Sequence, residues 1–175
     1  MKKLFLLTAL SGLLFSTVSV QAQDEDKSKR PSPPAKVRQT INTGATITID
    51  YSQPSLKGRT MGKNIEPMKG KIWRAGANEA TVFEVSKNVT VEGKPLPAGK
   101  YAFFAIAGDN EWTLIFNKTF NQWGAYDHKA ADDALRVKVK PTKRTNLVER
   151  LTYTISKEGM VSLLWGYTAV GFKVQ

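Results

Sequence analysis

Residues 72–127 decide the fold, and their densest part is the run Trp73-Arg74-Ala75-Gly76-Ala77-Asn78-Glu79-Ala80-Thr81. Farther along this stretch, residues 101–107 are apolar at nearly every position, which is typical of a central strand covered on both faces. The turn Gly108-Asp109-Asn110 then returns the chain into the apolar residues 112–117. The stretch therefore predicts a β-hairpin at the centre of an antiparallel sheet.

The segments on either side have the same character. Residues 46–51 alternate, with Ile47, Ile49 and Tyr51 on one face, as in a half-buried strand. No segment keeps the period of an amphipathic helix over three turns. About nine short strands at turn spacing predict an all-β, single-domain antiparallel β-sandwich over residues 37–175, jelly-roll-like or immunoglobulin-like.

The first 36 residues predict where the protein is located in the cell and not how it folds. Lys2 and Lys3 precede an uncharged, apolar or small-residue run, and Val20-Gln21-Ala22 has the form of a signal-peptidase site. We therefore expect residues 1–22 to be a removed signal peptide, with no transmembrane segment afterwards. Residues 23–36 are charged and proline-rich, which predicts a disordered leader.

Composition excludes several kinds of chemistry. The chain has no cysteine, so disulfides and thiol chemistry are impossible. A single histidine, His128, fits neither a zinc cluster nor a catalytic triad, and we interpret it as a surface residue. No nucleotide-binding fingerprint occurs. We therefore expect no metal and no cofactor.

The formal net charge is +11, or +9 once Lys2 and Lys3 leave with the signal peptide. The basic residues are scattered, apart from one cluster of Lys138, Lys140, Lys143 and Arg144. Because export separates the protein from nucleic acid, we expect no nucleic-acid partner and interpret the charge as solvated surface.

A candidate site lies just after the apolar pair Ile72-Trp73. Arg74, Asn78 and Glu79 follow on a glycine-containing segment that can orient a guanidinium, an amide and a carboxylate towards one pocket. Such a set suits a polyhydroxyl or carboxylate ligand. The alternative is that Arg74 and Glu79 pair with each other and fix the loop.

Two further elements belong to this hypothesis. Trp123 and Tyr126 lie on a loop-like stretch, where flat rings can stack on a sugar, although a loop tryptophan also packs over the end of a sandwich. Arg59 either joins Arg74 as an anion site or is a solvated loop residue. The predicted ligand-binding set is Arg59, Arg74, Asn78, Glu79, Trp123 and Tyr126.

Much of the chain resembles a family of exported bacterial proteins known as domain of unknown function 2911. The resemblance spans residue 33 to about residue 139 and rests on residues 50–59, 73–81, 96–101, 112–118 and 122–126. Beyond residue 147 only the strand pattern agrees. The resemblance implies an exported, mostly β domain of the Gram-negative envelope, periplasmic or secreted, and it implies no activity.

Three functions remain open. The first is a non-catalytic binder of a small polar ligand or glycan. The second is a glycosidase-like hydrolase that pairs Glu79 with a second acid, Asp127 or Glu111, and it needs one carboxyl of raised pKa. The third is a structural or interaction module of the envelope, which needs only an exposed apolar patch or strand edge.

Overall fold

The computed structural model describes residues 26–175, so the predicted signal peptide lies outside the described part. This part is built from antiparallel strands, with short 3₁₀ turns at Lys27–Lys29 and Ala130–Asp132. The strands in chain order are β1 (Pro34–Thr40), β2 (Thr46–Ser52), β3 (Ile72–Trp73), β4 (Thr81–Val85), β5 (Val89–Val91), β6 (Lys94–Leu96), β7 (Gly99–Ile106), β8 (Trp112–Asn117), β9 (Asp133–Val139), β10 (Thr142–Ile155) and β11 (Met160–Lys173).

The main layer is a seven-stranded sheet in the order β1-β2-β4-β7-β8-β9, with β3 paired to β7. The register sets Phe83 opposite Tyr101 and Phe103 opposite Phe116. Alternate residues of each strand therefore face the second layer, as the period of two in the sequence requires.

The second layer is the long β10–β11 hairpin, which lies over the inner face of the sheet. Its edges are extended by single bridges, Ser55 to Arg150 on one side and Val91 of β5 to Val174 on the other. The core between the layers is aromatic. Phe83, Phe103 and Phe116 surround Phe172 with ring centroids 5.6–6.0 Å away, and Trp73 stacks on Trp165 at 5.8 Å. Each such buried ring contributes about 1.5–3 kcal/mol.

A smaller apolar cluster lies on the outer face of the sheet. Ala80, Ala102, Phe104 and Ile115 are buried there, and Ala125 packs against them. The His128 ring meets Phe104 edge-on, with the centroids 5.2 Å apart. The connection between β8 and β9, residues 118–132, therefore covers part of this face and carries the loop on which the candidate site depends.

The architecture confirms the prediction of an all-β antiparallel sandwich, with eleven strands in residues 26–175 instead of about nine. β3 and β6 have two and three residues, too few to show a period. β1 begins at Pro34, inside the stretch predicted as a leader, because Ala35 and Val37 pack against the core while β1 pairs with β2. In the same described part, no helix combines the length and apolarity needed to cross a membrane.

Candidate functional site

The run from Trp73 to Thr81 forms an excursion from the main sheet. Trp73 lies opposite Ala105 of β7, and Thr81 lies opposite Phe103 of the same strand. β3 and β4 thus follow one edge of β7, while residues 74–80 between them leave the sheet altogether. We call residues 74–80 the excursion loop. It projects whatever side chains it carries beyond the plane of the strands.

Buried hydrogen bonds fix the base of the excursion loop. The carbonyl of Ala75 accepts from the Tyr153 hydroxyl at 2.7 Å and from Thr81 Oγ1 at 3.1 Å, and Trp73 Nε1 donates to the carbonyl of Gly76 at 3.0 Å. Ala75 and Asn78 have left-handed φ angles of 51° and 58°. Asparagine tolerates such an angle, but for alanine it is unfavourable and persists where the surroundings enforce it, as they often do at functional sites.

A second loop, residues 120–126, pairs with the excursion loop. The Ala80 amide donates to the carbonyl of Gln122 at 3.0 Å, and the Gly124 amide donates to the carbonyl of Asn78 at 3.2 Å. Glu79 and Trp123 are bridge partners between these bonds. Trp123 is nevertheless 53% exposed and Tyr126 82% exposed. The backbone is therefore fixed while two rings face solvent.

Glu79 lies at a junction of charges. Arg30 Nη1 is 3.0 Å from both carboxylate oxygens, and Lys27 Nζ is 3.0 Å from one of them. Burial alone would raise the pKa of Glu79, but its own amide, Lys27 and Arg30 lower the pKa to about 2. The Arg30 guanidinium also lies 6.0 Å from the centre of the Trp123 ring, within cation–π range. Glu79 is therefore ionised and holds the N-terminal segment beside the exposed indole.

The Arg74 guanidinium lies beneath this second loop. A Cβ added to Gly124 would be 2.6 Å from Arg74 Nη1. Arg74 Nε is buried without a hydrogen-bond partner, and no residue in 26–175 forms an ion pair with Arg74. The alternative of an Arg74–Glu79 pair is thus replaced by pairs from Glu79 to Lys27 and Arg30. Asn78 has a bracing role, since its Nδ2 donates to the Ser32 carbonyl at 3.0 Å and to Ser52 Oγ at 3.2 Å.

A cavity of about 290 Å³ lies between the two loops, the N-terminal segment and the outer face of the sheet. Its wall is mixed, with apolar residues beside two carboxylates, two amides and an ammonium group. Gln122 lines it, and the buried Gln122 Oε1 has no hydrogen-bond partner among residues 26–175. The lining residues are Lys27, Pro34, Ala35, Asp50, Tyr51, Ser52, Glu79, Ala80, Val82, Phe120, Asn121 and Gln122.

Five of the six predicted residues occur on the two paired loops, namely Arg74, Asn78, Glu79, Trp123 and Tyr126. Arg59 does not join them. Its Nε donates to the Leu56 carbonyl at 2.9 Å and its Nη2 to the Ser55 carbonyl at 2.8 Å, and it lines a separate cavity beside Tyr167. Arg59 therefore stabilises its own loop and does not form a paired anion site with Arg74 in this structure.

Five further residues at this site were not predicted from the sequence, namely Lys27, Arg30, Asp50, Phe120 and Gln122. Lys27 and Arg30 lie in the stretch predicted to be a leader, where no local pattern predicts contact with Glu79. Asp50 pairs with Lys36 across β1 and β2 at 3.1 Å. The alternation of apolar and polar residues in β2 could have placed Asp50 on the outer face. The available signal for Phe120 was its place on the same loop-like stretch as Trp123. In the structure Phe120 is 40% exposed.

The remaining acids and the histidine have other surroundings. Asp127 is exposed, and Glu111 pairs with Lys138 at 2.8 Å. His128 is not the surface residue that the sequence suggested. Its side chain is 11% exposed, and its Nε2 lies 2.9 Å from Asp133 Oδ1. Within residues 26–175, no three His, Cys, Asp or Glu side chains are grouped as metal ligands would be.

The fold and the site define a class: an antiparallel β-sandwich whose main sheet carries a braced excursion loop beside an exposed aromatic loop. The chain belongs to the DUF2911 family, described as a protein of unknown function, whose model matches residues 32–174. This confirms the family suggested by the sequence and extends the match over the β10–β11 hairpin. No curated protein and no solved structure matches the chain.

Proposed function

We propose that this protein is an exported, non-catalytic binder of a small polar ligand or glycan, with its site on the excursion loop and residues 120–126. One observation carries the proposal: the backbone fixes a half-exposed indole, Trp123, opposite the ionised carboxylate of Glu79. Leaving about half of this ring in water gives up the gain from burying apolar surface, so a tryptophan whose backbone is fixed and whose ring stays exposed supports a binding surface.

The chemistry of the cavity favours a glycan. Sugars present apolar C–H faces, which pack on rings such as Phe120 in the cavity wall and Trp123 and Tyr126 on the same loop, and hydroxyls, which pair with carboxylates and amides. Gln122 lines the cavity and has a buried acceptor oxygen that lacks a partner. At about 290 Å³ the cavity lies near the lower end of the range for ligand pockets, which suits a group the size of one sugar ring.

The hydrolase alternative is less favoured by the electrostatics of Glu79. A general acid in such an enzyme must keep its proton at neutral pH, which needs a raised pKa. The pKa of Glu79 is instead lowered to about 2, and two cationic side chains occupy its oxygens. Hydrolysis of aryl glycosides that disappears in Glu79→Gln would favour the enzyme over the binder.

A third function has support from one observation. Phe120, Trp123 and Tyr126 are all exposed on the same loop, so the loop also suits the surface of a partner protein in the envelope. Cross-linking in envelope extracts with a photoreactive residue at position 126 separates this function from glycan binding, because a glycan-binding protein yields no specific protein adduct.

The test of the proposal is a titration of the mature protein with a panel of neutral and acidic mono- and disaccharides. Backbone amide NMR signals are followed. We expect shifts confined to the excursion loop and residues 120–126, and at least tenfold weaker binding in Trp123→Ala. Met160→Ala is a matched control, because Met160 is also a large exposed hydrophobic residue, 43% exposed, but lies on β11.

Two results would contradict this proposal. One is a panel in which no sugar moves the loop signals at millimolar concentration. The other is a Trp123→Ala variant that binds as tightly as the wild type. Export is tested separately by fractionating cells and sequencing the mature N-terminus, which we expect to begin at Gln23 after cleavage following Ala22.

A further inference from the structure

The second layer carries a large irregularity at the end of the hairpin away from its tip. Lys143 of β10 pairs with Thr168 of β11, but the next pair is Val148 with Gly166. Residues 144–147 therefore lie opposite the single residue Tyr167. We call residues 144–147 the β10 bulge. Such bulges redirect side chains and occur next to binding sites more often than elsewhere in a sheet.

The bulge borders an open cavity of about 540 Å³, which is lined by Lys143, Arg144, Thr145 and Tyr167. Tyr167 also lines two neighbouring cavities of about 390 and 250 Å³, the second with Arg59 and Leu147. Tyr167 is 53% exposed and Leu147 49% exposed. One exposed ring thus stands at the centre of a continuous concave region.

The charge in this region is positive and uncompensated. Arg144 Nε is buried without a hydrogen-bond partner, and neither Lys143 nor Arg144 forms an ion pair with any described residue. Asp109 is the carboxylate that lines a neighbouring cavity, and it is bound to Lys69. Two cations therefore face the cavity while the nearest lining acid is neutralised by another group. Burying part of a guanidinium without a partner costs about 1–3 kcal/mol, which an anion at this position would offset.

We propose that the β10 bulge is a binding site for a phosphate monoester, held by Arg144 and Lys143, with the Tyr167 ring against the group that carries the phosphate. A phosphate monoester has close to two negative charges at neutral pH and several acceptor oxygens. These match two cations together with the hydroxyls of Thr145 and Tyr167. The cavity is much larger than a phosphate, so it has room for a ring or chain beside Tyr167.

This site is independent of the proposed glycan surface. It lies on the β10–β11 hairpin, and none of its four lining residues lines the cavity beside Glu79. The sequence cluster that includes Lys143 and Arg144 was interpreted as solvated surface. The structure separates its members, because Lys138 is paired with Glu111 whereas Arg144 is partly buried and has no ion pair with any residue from 26 to 175.

The experiment titrates the mature protein with three probes: inorganic phosphate, glucose 6-phosphate, and vesicles that contain phosphatidic acid. Glucose and phosphatidylcholine vesicles are the neutral controls. We expect saturable shifts of the amide signals of residues 143–147 and 167, weakening as salt is added. The soluble and vesicle arms then show whether the phosphate belongs to a small molecule or to a lipid headgroup.

Variants decide whether the site is specific. Arg144→Gln should weaken binding at least tenfold, and Tyr167→Ala should weaken glucose 6-phosphate more than inorganic phosphate. Lys157→Ala removes one charge at the opposite end of the same hairpin and should change binding less than twofold. Thermal unfolding confirms that each variant is folded, and the exposed Tyr167 offers a second variant if Arg144→Gln is unstable.

The proposal is overturned if none of the three phosphate probes shifts the bulge signals. It is equally overturned if Arg144→Gln binds like the wild type, or if Lys157→Ala weakens binding as much as Arg144→Gln does. The last result would mean attraction to overall positive charge, with an adventitious ion only at the bulge.

Discussion

The hydroxyl of Tyr153, buried in the second layer, donates a hydrogen bond of 2.7 Å to the carbonyl of Ala75 at the base of the excursion loop. Ala75 has a left-handed backbone and is fully buried. The bond therefore links the β10–β11 hairpin directly to the loop that carries Arg74, Asn78 and Glu79. Packing of the two layers and the shape of the candidate site are thus coupled through one side chain.

Tyr153→Phe tests this coupling. We expect a loss of about 1–2 kcal/mol in the free energy of unfolding, because Ala75 keeps only the Thr81 hydroxyl as a buried partner. Hydrogen exchange should become faster at residues 75–80. Tyr167→Phe removes the same hydroxyl from an exposed ring and should leave both quantities unchanged. Equal effects of the two substitutions would contradict the coupling.

The ion pairs of Glu79 predict a pH dependence in acid. The pKa of Glu79 is about 2 in the folded protein, against 4.5 for the unperturbed group. Because the folded pKa is the lower one, its stabilisation is complete above about pH 4.5 and is lost as the pH falls towards 2. The wild type should therefore lose stability over this interval, measured by urea unfolding at a series of pH values.

Glu79→Gln should flatten that acid dependence and release the N-terminal segment, which is followed by proteolysis after Lys27 or Lys29. Glu111→Gln is the control, because Glu111 has Lys138 as its partner on β9, away from the N-terminal segment. An unchanged slope in Glu79→Gln would show that the contacts to Lys27 and Arg30 contribute nothing in solution.

The fold was largely predictable because its strands carry local signals. Ile47, Ile49 and Tyr51 alternate as one buried face requires, and all three are buried against the second layer. β6 was missed because its three residues, which include a lysine and a proline, show no strand pattern. β1 was missed because Pro31, Pro33 and Pro34, together with the charged residues before them, resemble a leader. Its pairing with β2 is a tertiary interaction that composition does not encode.

The site was predictable only in part, for the same physical reason. Residues 74–80 are contiguous, so their grouping was visible in the sequence, and Trp123 and Tyr126 share a short loop. The pairing of these two loops through Ala80 and Gln122 is long-range and was not visible. Arg59 is the opposite case, because it was predicted to belong to the site and lies outside it. Its guanidinium is satisfied by carbonyls three and four residues away, a local role that residue type alone does not reveal.

Gly159 tests how closely the end of the chain packs on the hairpin turn. A Cβ at Gly159 would lie 2.0 Å from the Val174 carbonyl oxygen, and φ is +86°. Gly93 has a similar φ of +75° with open space around it. We expect Gly93→Ala to cost about 1 kcal/mol from backbone strain alone. Gly159→Ala should cost about 3 kcal/mol or more, because displacement of the backbone is added.

Thermal or urea unfolding of the two glycine variants measures the difference directly. A common loss in both would mean that the contact between residue 159 and Val174 relaxes without cost. A larger loss in Gly159→Ala should be accompanied by weaker protection of the Val174 amide, which donates to the Gly159 carbonyl.

Asp133 organises the other end of the loop that carries Trp123. Its Oδ1 accepts from Asn117 Nδ2 at 2.8 Å and lies 2.9 Å from His128 Nε2, while its Oδ2 accepts from Arg136 Nε at 2.7 Å. Burial alone would raise the pKa of Asp133, but these hydrogen bonds outweigh it and lower the pKa. Asp133→Asn should therefore cost about 2–3 kcal/mol in unfolding free energy.

Asp133→Asn should also broaden the NMR signals of residues 120–128, because Asp133 holds His128, whose ring covers Phe104. Asp109→Asn is a suitable control, because the carboxylate of Asp109 is exposed and pairs with the exposed Lys69. Stability lost equally in both variants would argue against a special role for Asp133.

Arg74 and Arg59 provide the sharpest separation of binding from folding. Arg74 lies beneath Gly124 with a buried Nε that has no partner in the described part of the chain, whereas Arg59 donates two hydrogen bonds to its own loop. Arg74→Ala should weaken binding of a glycan at least fivefold and change the unfolding free energy by less than about 1 kcal/mol, because no protein partner is lost. Arg59→Ala should lower stability by about 1–2 kcal/mol and leave glycan binding unchanged. Isothermal titration measures the affinity of both variants for the glycan, and urea unfolding measures their unfolding free energies. The reverse pattern, with binding lost on removal of Arg59, would return Arg59 to the site and contradict the placement of the ligand beside Glu79 and Trp123.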